Sequence, residues 1–342
     1  MSIDQINEVL AHKGDLDSEQ AAFAMSEILN GRVNDQELGL FITLLHDKGE
    51  TVTELCAIVN AMWKNSPSIE GIDTSMALDT CGTGGDKSGT FNISTTVGLV
   101  LSGAEIKIAK HGNRAASSKC GAADVLEGLS IPVDLTPANS AELFKQTGFT
   151  FLYAPTYHPG MRYAAPIRKA LGVPTTFNFL GPLANPYHAP YRMHGISKPG
   201  ILKTYIKTLE ALKVKKAFVF HGAGGIDEIA LSGLSRGYLL DGGNITEVEI
   251  DPSAYGFKPA QISDLAGSDV ATNSAIIRSI LEGEKGPCRD IVVLNAAYGY
   301  DLVKECGIQE AIRIVQEAID SGKVIEKVSL IQEVSSSLFS SQ

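Results

Sequence analysis

The sequence has few of the features that mark secreted, membrane-spanning or disulfide-rich proteins. Its five cysteines are scattered and include no Cys-x-x-Cys pair, which argues against a disulfide framework and against a thiolate zinc site. No apolar run approaches the roughly 18 residues of a membrane span. Residues 1–5 lack the basic and then apolar pattern of a signal peptide. We therefore expect a reduced, cytoplasmic protein with no membrane partner.

The chain also lacks an excess of basic residues. Its formal net charge is −10 and its pI is about 5.2, whereas nucleic-acid-binding proteins have a basic footprint. We therefore expect no nucleic-acid partner, although local lysines and arginines can still bind a small anion. The 342 residues are 44% hydrophobic and 20% charged, as in ordinary globular proteins, and their number favours two domains.

Residues 2–65 are predicted to be helical throughout, because apolar residues recur at helical spacing between capping residues. These four short helices cannot bury their apolar faces alone, so we expect them to pack on the rest of the chain, on a second subunit, or on both. We predict a helical domain over 1–73, with part of about 163–190 packing onto it, and an α/β domain over 74–342.

After residue 68, strand-like and helix-like segments alternate, which predicts a mostly parallel central sheet flanked by helices. Helices are predicted over 94–103, 139–147, 199–212, 273–282 and, as the last one, 308–321. The predicted strands are 76–81, 106–109, 149–152, 193–196, 217–220, 237–241 and 291–294.

A glycine-rich stretch follows the first predicted strand and leads into a predicted helix. Gly82, Gly84, Gly85 and Gly89 lie within residues 79–92, and such bare backbone can bind an anion with its amide groups. The stretch is neither a Walker loop nor a dinucleotide fingerprint, because Lys87 stands in the wrong place for both. It is either a phosphate-binding loop or a glycine-rich turn without a ligand.

Residues 110–119 form the second candidate, directly after the strand predicted at 106–109. Lysines, an arginine and a histidine are interspersed with hydroxyl groups there, and such side chains could offset the charge of a polyphosphate. The alternative is a solvated turn. The loop ending in Asp227 and Glu228 resembles the first glycine loop, so the two loops could meet over one polyanion.

Asp227 and Glu228 are a candidate Mg²⁺ site, because this ion binds through one or two carboxylates together with substrate phosphates. A surface acidic pair is the alternative. Arg168 could bind a carboxylate through two hydrogen bonds or could be an ordinary helix-surface residue, and His158 is more often structural than catalytic. No nucleophile stands out, which favours a mechanism without a covalent intermediate.

Together these motifs resemble the anthranilate phosphoribosyltransferase family of tryptophan biosynthesis over nearly the whole chain. The family would transfer the phosphoribosyl group of phosphoribosyl pyrophosphate to the amine of anthranilate and release pyrophosphate. The motifs are Gly82-Thr83-Gly84-Gly85-Asp86, Thr90-Phe91-Asn92-Ile93-Ser94-Thr95, Lys110-His111-Gly112-Asn113-Arg114, Arg168 with the 177–183 segment, and Asp227-Glu228.

The resemblance implies a role for each of the residues that match the family's motifs. Ser94, Asp227 and Glu228 would hold Mg²⁺, with two ions per subunit bound together with the donor. Gly82, Asn113 and Arg168 would contact anthranilate, with His111, His158 and Pro182 near its entry path. The phosphoribosyl donor would contact Gly82, Gly85, Asp86, Thr90, Asn92, Ile93, Ser94, Thr95, Lys110, His111, Gly112, Asn113, Arg114, Ala115, Ala116, Ser117, Ser118 and Ala122.

The resemblance also implies a homodimer through the helical domain and an active site between the two domains. Ala122 stands where the family often has a hydroxyl residue, so a contact there would be through backbone or water. We expect no general base, because the amine of anthranilate is already neutral at pH 7. Lys110, Asn113 and Arg168 would stabilise the transition state of a dissociative displacement with inversion.

Two alternatives stay open. A pyrimidine-nucleoside phosphorylase of the same fold would use neither Mg²⁺ nor pyrophosphate, and Asp227-Glu228 together with residues 110–113 argue against it. A relative that binds nucleic acid or another ligand without this catalysis is disfavoured by the net charge of −10.

Overall fold

The computed structural model describes residues 1–67, 69, 71–115 and 119–342. Its N-terminal part is helical, as predicted. Each of the first four helices follows a polar residue whose side chain accepts a hydrogen bond from the backbone N–H three residues later. These helices are α1 (Ile3–Ala11), α2 (Ser18–Leu29), α3 (Asp35–Lys48) and α4 (Val52–Lys64).

The described strands form one mixed sheet in the order β3-β2-β1-β4-β5-β6-β7. Strands β1 to β5 are parallel, and β6 and β7 are antiparallel, which confirms the predicted mostly parallel α/β fold. The strands are β1 (Leu78–Gly82), β2 (Ile108–Gly112), β3 (Phe149–Tyr153), β4 (Tyr191–Gly195), β5 (Lys216–His221), β6 (Ser235–Asp241) and β7 (Asn244–Ile250).

Helices cover the sheet, and none of those described is long and apolar enough to cross a membrane. Short 3-10 turns lie at Pro159–Tyr163, Pro199–Ile201, Ala223–Gly225, Pro252–Tyr255 and Ile262–Leu265. The remaining helices are α5 (Ile93–Gly103), α6 (Ala122–Gly128), α7 (Pro137–Thr147), α8 (Ala154–Tyr157), α9 (Ala165–Leu171), α10 (Phe177–Leu183), α11 (Leu202–Ala211), α12 (Val270–Leu281), α13 (Pro287–Lys304), α14 (Ile308–Asp320) and α15 (Lys323–Ser340).

The sheet has its topological switch point between β1 and β4. From β1 the chain adds β2 and β3 on one side, and it later adds β4 and β5 on the other. The loops after β1 and β4 therefore diverge and leave a crevice at the carboxyl ends of these strands, which is where open α/β sheets bind ligands. The glycine-rich stretch begins at Gly82, the last residue of β1.

The core of the helical part continues into the segment that contains α9 and α10. Phe177 and Leu180 of α10 are buried in one cluster with Ile6, Phe41 and Ile58. Trp63 of α4 donates to the Asn185 carbonyl, with an Nε1–O distance of 3.1 Å. These contacts join the end of the helical part to the chain between β3 and β4.

Several predicted elements were wrong or missing. Residues 291–294 lie inside the buried helix α13 and not in a strand, and 308–321 is not the last helix, because α15 follows it. The strand predicted at 106–109 covers Ile108–Gly112, so Lys110 and His111 belong to β2 and not to a loop after it. Strand β7 was not predicted at all.

Candidate active site

The glycine-rich stretch is built from left-handed backbone. Gly84, Gly85, Lys87 and Gly89 have φ between +59° and +76°, a region that glycine adopts without strain. A Cβ atom on Gly82 would overlap the carboxylate of Asp227, so that approach also requires glycine. The stretch therefore passes close to the loop that follows β5.

The acidic part of this stretch stays near its own backbone. The Asp86 carboxylate accepts a hydrogen bond from the Ser88 N–H at 3.1 Å. The Thr90 hydroxyl lies 3.2 Å from that of Ser88, and Thr90 also forms an isolated antiparallel bridge with Ala266. Gly85, Asp86 and Thr90 thus lie on one short loop above the end of β1.

At the start of α5, mainly backbone groups face the crevice, because most of the side chains point into the interior. Ile93 and Thr95 are both 1% exposed, so their side chains lie in the interior. The Asn92 side chain donates to the Cys120 carbonyl at 3.1 Å and accepts from Asn273 at 2.8 Å. Of the four residues predicted here, 92–95, Ser94 is the one whose side-chain hydroxyl contacts another residue of the site, Lys110, at 3.3 Å.

Asp227 and Glu228 point to two different parts of the site although they are adjacent in sequence. The Asp227 Oδ2 atom accepts from the Gly84 N–H at 2.7 Å, and the Glu228 Oε1 atom accepts from the Ser94 N–H at 3.1 Å. The two carboxylates therefore join the glycine-rich stretch, the first turn of α5 and the end of β5. Asp227 also links the two glycine loops directly.

The electrostatics of these carboxylates favour a cation. Burial, and then the nearby Asp86, raise the pKa of Asp227 to about 7. Burial, and then Asp227, raise the pKa of Glu228 well above its ordinary value. Neither carboxylate belongs to an ion pair of the residues that the structure describes. Carboxylates arranged in this way are ionised most readily when a cation binds between them.

The donor set fits Mg²⁺ that is bound jointly with a phosphate ligand. Two carboxylates and the Ser94 hydroxyl are hard oxygen ligands. Within residues 1–67, 69, 71–115 and 119–342, no group of three or more His, Cys, Asp or Glu side chains is arranged to hold a metal alone. Substrate oxygens and water would therefore have to complete the coordination.

Lys110 lies in the floor of the crevice. It is 2% exposed, its Nζ atom donates to the Thr80 carbonyl, and it also lies 3.3 Å from the Ser94 hydroxyl. Its positive charge lowers the pKa of Glu228 against the larger effect of burial. Lys110 therefore places a positive charge on the buried side of Ser94 and Glu228.

His111 and His158 are neutral, buried and in contact with each other. Their ring centroids lie 5.2 Å apart in an edge-to-face arrangement. His111 Nδ1 donates to the Gly181 carbonyl at 2.8 Å, and His158 Nε2 donates to the Ala184 carbonyl at 3.0 Å. Burial lowers the pKa of His111, and burial and then His111 lower that of His158 to about 3.

The end of β2 and the loop after it carry the remaining residues that were predicted to contact the phosphoribosyl donor. A Cβ atom on Gly112 would press on the Phe151 ring, and the side-chain Oδ1 atom of Asn113 accepts from the Arg114 N–H at 2.7 Å. The Ala115 N–H donates to Asp124 at 2.9 Å, and Ala122 begins α6. Ala116, Ser117 and Ser118 lie outside the described residues.

Arg114 does not meet the carboxylates or the glycine-rich stretch. Its guanidinium donates to both oxygens of Glu127, at 2.6 and 2.7 Å, and to Asp124 at 3.1 Å. It also lies near the Tyr153 hydroxyl, at 3.2 Å. Contact with a bound donor would require this side chain to exchange its acidic partners for phosphate oxygens.

Arg168 and Pro182 lie on the side of the site nearer the helical part. The Arg168 guanidinium lies 5.8 Å from the centre of the Phe177 ring and has neither a hydrogen bond nor an ion pair with the described residues. Burial lowers the pKa of Arg168. Pro182 is buried inside α10. No hydrogen bond joins the Arg168 side chain to those predicted site residues that the structure describes.

Sequence reasoning missed a set of buried polar residues beneath the crevice. Asp79 is fully buried, accepts from the His111 N–H at 3.2 Å and lies 3.5 Å from His194. Arg192 is 1% exposed and donates to carbonyls at the end of α10. The signal that could have found them is polar residues alternating with apolar ones, as in Tyr191-Arg192-Met193-His194, in a strand of an otherwise buried sheet.

Two family models match the chain, one for each part of the fold. Residues 4–66 match the helical bundle domain of a glycosyl transferase family, and residues 74–325 match the a/b domain of a glycosyl transferase family.

Curated relatives match over most of their length. An anthranilate phosphoribosyltransferase of Desulfitobacterium hafniense is 43% identical over 93% of this chain and 94% of its own. One of Methanocorpusculum labreanum is 40% identical over 94% of this chain and 95% of its own.

Solved structures of the same name share the fold. The anthranilate phosphoribosyltransferase of Thermus thermophilus has a TM-score of 0.90 at 33% identity and covers 96% of this chain and 99% of its own. That of Saccharomyces cerevisiae, solved in complex with PRPP and Mg, has a TM-score of 0.90 at 26% identity and covers 98% of each chain.

Proposed function

This chain belongs to the anthranilate phosphoribosyltransferase family, and from that premise we propose which of its residues carry the reaction. It is a glycosyltransferase that transfers the 5-phosphoribosyl group of phosphoribosyl pyrophosphate to the amine of anthranilate and releases pyrophosphate, a step of tryptophan biosynthesis. The pyrimidine-nucleoside phosphorylase alternative is not favoured, since the relatives at this identity carry the transferase name.

The observation that carries the residue assignment is the pair of hydrogen bonds made by Asp227 and Glu228. One bond reaches the glycine-rich stretch at Gly84 and the other reaches the first turn of α5 at Ser94. Two carboxylates thus stand beside two groups of backbone amides suited to phosphate. Such an arrangement is what a ligand that carries both phosphates and a divalent cation needs.

We assign Mg²⁺ binding to Ser94, Asp227 and Glu228, with two ions per subunit. The yeast relative was solved with PRPP and Mg, and the raised pKa values of Asp227 and Glu228 fit a cation at this place. When bound, the ion supplies charge neutralisation for the departing pyrophosphate. Without it, the two buried carboxylates would repel a negatively charged donor.

The donor would lie along the glycine-rich stretch and the end of β2. Gly82, Gly85, Asp86, Thr90 and residues 92–95 contribute mainly backbone amides and hydroxyls, while Lys110 supplies a fixed positive charge below Ser94. Residues 111–118 and Ala122 complete the donor side in this proposal. Arg114 would leave Glu127 when phosphate oxygens offer a stronger partner.

The acceptor would enter on the side of Arg168, with Gly82, Asn113, His111, His158 and Pro182 around it. Arg168 has no carboxylate partner among the residues that the structure describes, so its guanidinium is available for the anthranilate carboxylate. The neutral imidazoles of His111 and His158 provide an uncharged wall for an aromatic ring.

The reaction breaks the bond between the anomeric carbon and pyrophosphate and forms a bond from that carbon to the amine nitrogen, which then loses a proton. We propose a dissociative displacement with inversion. Lys110, Asn113 and Arg168 stabilise and orient the reacting groups, and no residue acts as a general base. The neutral amine needs no base to become a nucleophile.

The test is loss of anthranilate fluorescence on mixing with enzyme, phosphoribosyl pyrophosphate and Mg²⁺. The loss should require all three and should disappear in the double variant Asp227→Asn/Glu228→Gln. The matched control is Glu247→Gln/Glu249→Gln, which removes two carboxylates from the exposed strand β7. If the Asp227/Glu228 variant kept full activity at low Mg²⁺ while the control did too, the metal assignment would be wrong.

We propose further that the enzyme is a homodimer joined through the helical domain, with domain limits of 1–73 and 74–342, and that it is cytoplasmic. Leu40 of α3 is 48% exposed, and Val173, just after α9, is 60% exposed. Leu40 belongs to α3, which packs against α9, and Val173 lies two residues after the end of α9. Light scattering on wild type and on Leu40→Glu should give a dimer and a monomer, respectively, and a monomeric wild type would refute the proposal.

A further inference from the structure

Consecutive carbonyl groups from Gly181 to Asn185 each accept a hydrogen bond from a side chain, and we call these residues the anchored segment. Gly181 accepts from His111 at 2.8 Å, Ala184 from His158 at 3.0 Å, and Asn185 from Trp63 at 3.1 Å. Between them, the carbonyls of Pro182 and Leu183 accept from one guanidinium nitrogen of Arg192, at 3.0 and 3.3 Å.

These hydrogen bonds provide partners for the carbonyl groups at the buried end of α10. The helix has only seven residues, contains Pro182, and ends in a buried part of the molecule. The last carbonyls of any helix lack backbone partners, and buried carbonyls without partners are costly. The end of a helix also carries partial negative charge, which favours a cation beside it. Arg192 is the charged donor of this set and serves two of the carbonyls.

Arg192 itself is held firmly. It lies in β4, directly beside Asp79 of β1, and its Nε atom donates to the Ala189 carbonyl at 2.8 Å. Burial raises the pKa of Asp79, but His194, 3.5 Å away, and the charges of Arg192 and Lys110 keep that pKa below its ordinary value. The guanidinium is therefore fixed in orientation by its hydrogen bonds to carbonyl groups, with the charge of Asp79 nearby in the central strands of the sheet.

The anchored segment joins the sheet to the helical part. At the start of α10 the Thr176 hydroxyl bonds to Glu50, which also accepts from His46 at 2.9 Å. At the end of the segment Trp63 of α4 bonds to Asn185. A shift at the end of α10 would thus move Pro182 and the hydrogen-bond partners of His111 and His158 together.

We propose that Arg192 is a positioning residue for the acceptor. By holding the carbonyls of Pro182 and Leu183, it sets the place of the anchored segment, and with it the wall made by Pro182, His111 and His158. This inference rests on the proposed function of that wall. Arg192 touches neither substrate in this account. The carboxylates and amides proposed to bind Mg²⁺ and the donor's phosphates lie on β1, α5 and the loop after β5, and none of these described groups bonds to the anchored segment. Among the described donor contacts, His111 of β2 alone bonds to that segment, so we expect the larger effect on the acceptor.

The chain offers a matched control in Arg289. This arginine is 2% exposed, donates to the Gly283 carbonyl at 2.8 Å and pairs with Asp320 at 2.7 Å. It is thus a buried arginine that ties down the turn between α12 and α13, and it has no hydrogen bond to the anchored segment. Replacing it should lower stability through the same physics without moving the anchored segment.

The kinetic test compares Arg192→Met and Arg192→Lys with Arg289→Met. Arg192→Met should raise the KM for anthranilate by about tenfold or more, the effect of losing hydrogen bonds from a charged donor, and should change the KM for phosphoribosyl pyrophosphate by less than about twofold. Arg192→Lys keeps the charge but not the planar fork and should recover part of the loss. Arg289→Met should leave both KM values unchanged.

The second readout needs no substrate. Trp63 is the only tryptophan in the chain and donates to the anchored segment, so its fluorescence reports on this segment in the free enzyme. Its emission should shift in Arg192→Met and stay unchanged in Arg289→Met. If Arg192→Met does not fold, Arg192→Lys and Trp63→Phe carry the kinetic test, because each weakens a different anchor of the same segment.

The outcomes separate the two proposals. A wild type that consumes no anthranilate would refute the proposed function, while the fluorescence shift would still test the anchoring. Suppose that the wild type is active. If the Arg192 variants then raise the KM for anthranilate and the KM for phosphoribosyl pyrophosphate equally, or leave both unchanged, Arg192 is merely structural and the positioning role is wrong. An unshifted Trp63 emission in Arg192→Met would also overturn it.

Discussion

Replacing Arg168 with alanine should weaken binding of the anthranilate carboxylate but should change the stability of the enzyme very little. The guanidinium has no carboxylate partner among the described residues, and its nearest aromatic contact, Phe177, lies 5.8 Å away. A contact of that kind is worth about 0.5–1 kcal/mol at most. The free energy of unfolding of Arg168→Ala should therefore change by less than about 1 kcal/mol.

The effect on the acceptor should be much larger. A hydrogen bond to a charged group contributes about 1.5–3 kcal/mol, which corresponds to roughly a 10- to 150-fold loss in kcat/KM for anthranilate. Arg168→Lys should fall between wild type and alanine, because lysine keeps the charge but cannot form the two-pronged pair. The donor KM should not change.

The assay compares anthranilate with aniline, which has the amine but not the carboxylate. Wild type should strongly prefer anthranilate, and Arg168→Ala should lose most of this preference by losing activity towards anthranilate alone. Arg162→Ala is the control, since Arg162 is exposed and its side chain bonds, among the described residues, to Tyr163 alone, at 2.9 Å. If Arg168→Ala slowed both acceptors equally, or acted on the donor, Arg168 would not bind the carboxylate.

Three further predictions concern the glycine stretch, a buried histidine and a buried ion pair. In Gly82→Ala the new Cβ would overlap the Asp227 carboxylate, so donor KM and the Mg²⁺ requirement should both rise, whereas Gly200→Ala, with open space at its Cβ, should leave both unchanged. Burial lowers the pKa of His158 from 6.5 to about 3, so protonation favours the unfolded chain. As the pH falls from about 6.5 towards 3, wild type should therefore lose about 1.4 kcal/mol of unfolding free energy per pH unit relative to His158→Gln. Urea unfolding measures this dependence, and equal slopes for the two proteins would contradict it. Changing Glu54, which is fully buried and 3.0 Å from Lys48, to Gln should cost about 3 kcal/mol of stability in thermal unfolding. Changing the half-buried Glu27, whose partner Arg32 is exposed, to Gln should cost less than about 1 kcal/mol.

The parallel sheet and its neighbouring helices were predictable because apolar runs, glycines and capping residues alternate along the chain. The prediction failed at residues 291–294, since a fully buried helix and a buried strand both present an unbroken apolar run. Length would have separated them: the apolar pattern of α13 continues to Val303. Helix α15 was missed because its polar serines mask a stripe made of Val324, Val328 and Ile331.

Site residues that lie on loops could be named from the motifs, but their partners could not. Nothing in the sequence indicates that Glu228 reaches the Ser94 N–H, or that Arg114 binds Glu127, because these contacts depend on how separate loops fold over the sheet. The alternation of polar and apolar residues around Arg192 could have marked it as a buried polar residue, but its hydrogen-bond partners could not be predicted for the same reason. A lone arginine in a strand shows its role only when the end of α10 is seen beside it.

The most direct test of the central claim is to follow products instead of substrate loss. Purified enzyme with anthranilate, phosphoribosyl pyrophosphate and Mg²⁺ should yield phosphoribosyl anthranilate and pyrophosphate in equal amounts, as measured by mass spectrometry and a pyrophosphate assay. Release of pyrophosphate without a phosphoribosyl anthranilate product, or phosphate-dependent cleavage of uridine or thymidine in its place, would contradict the account.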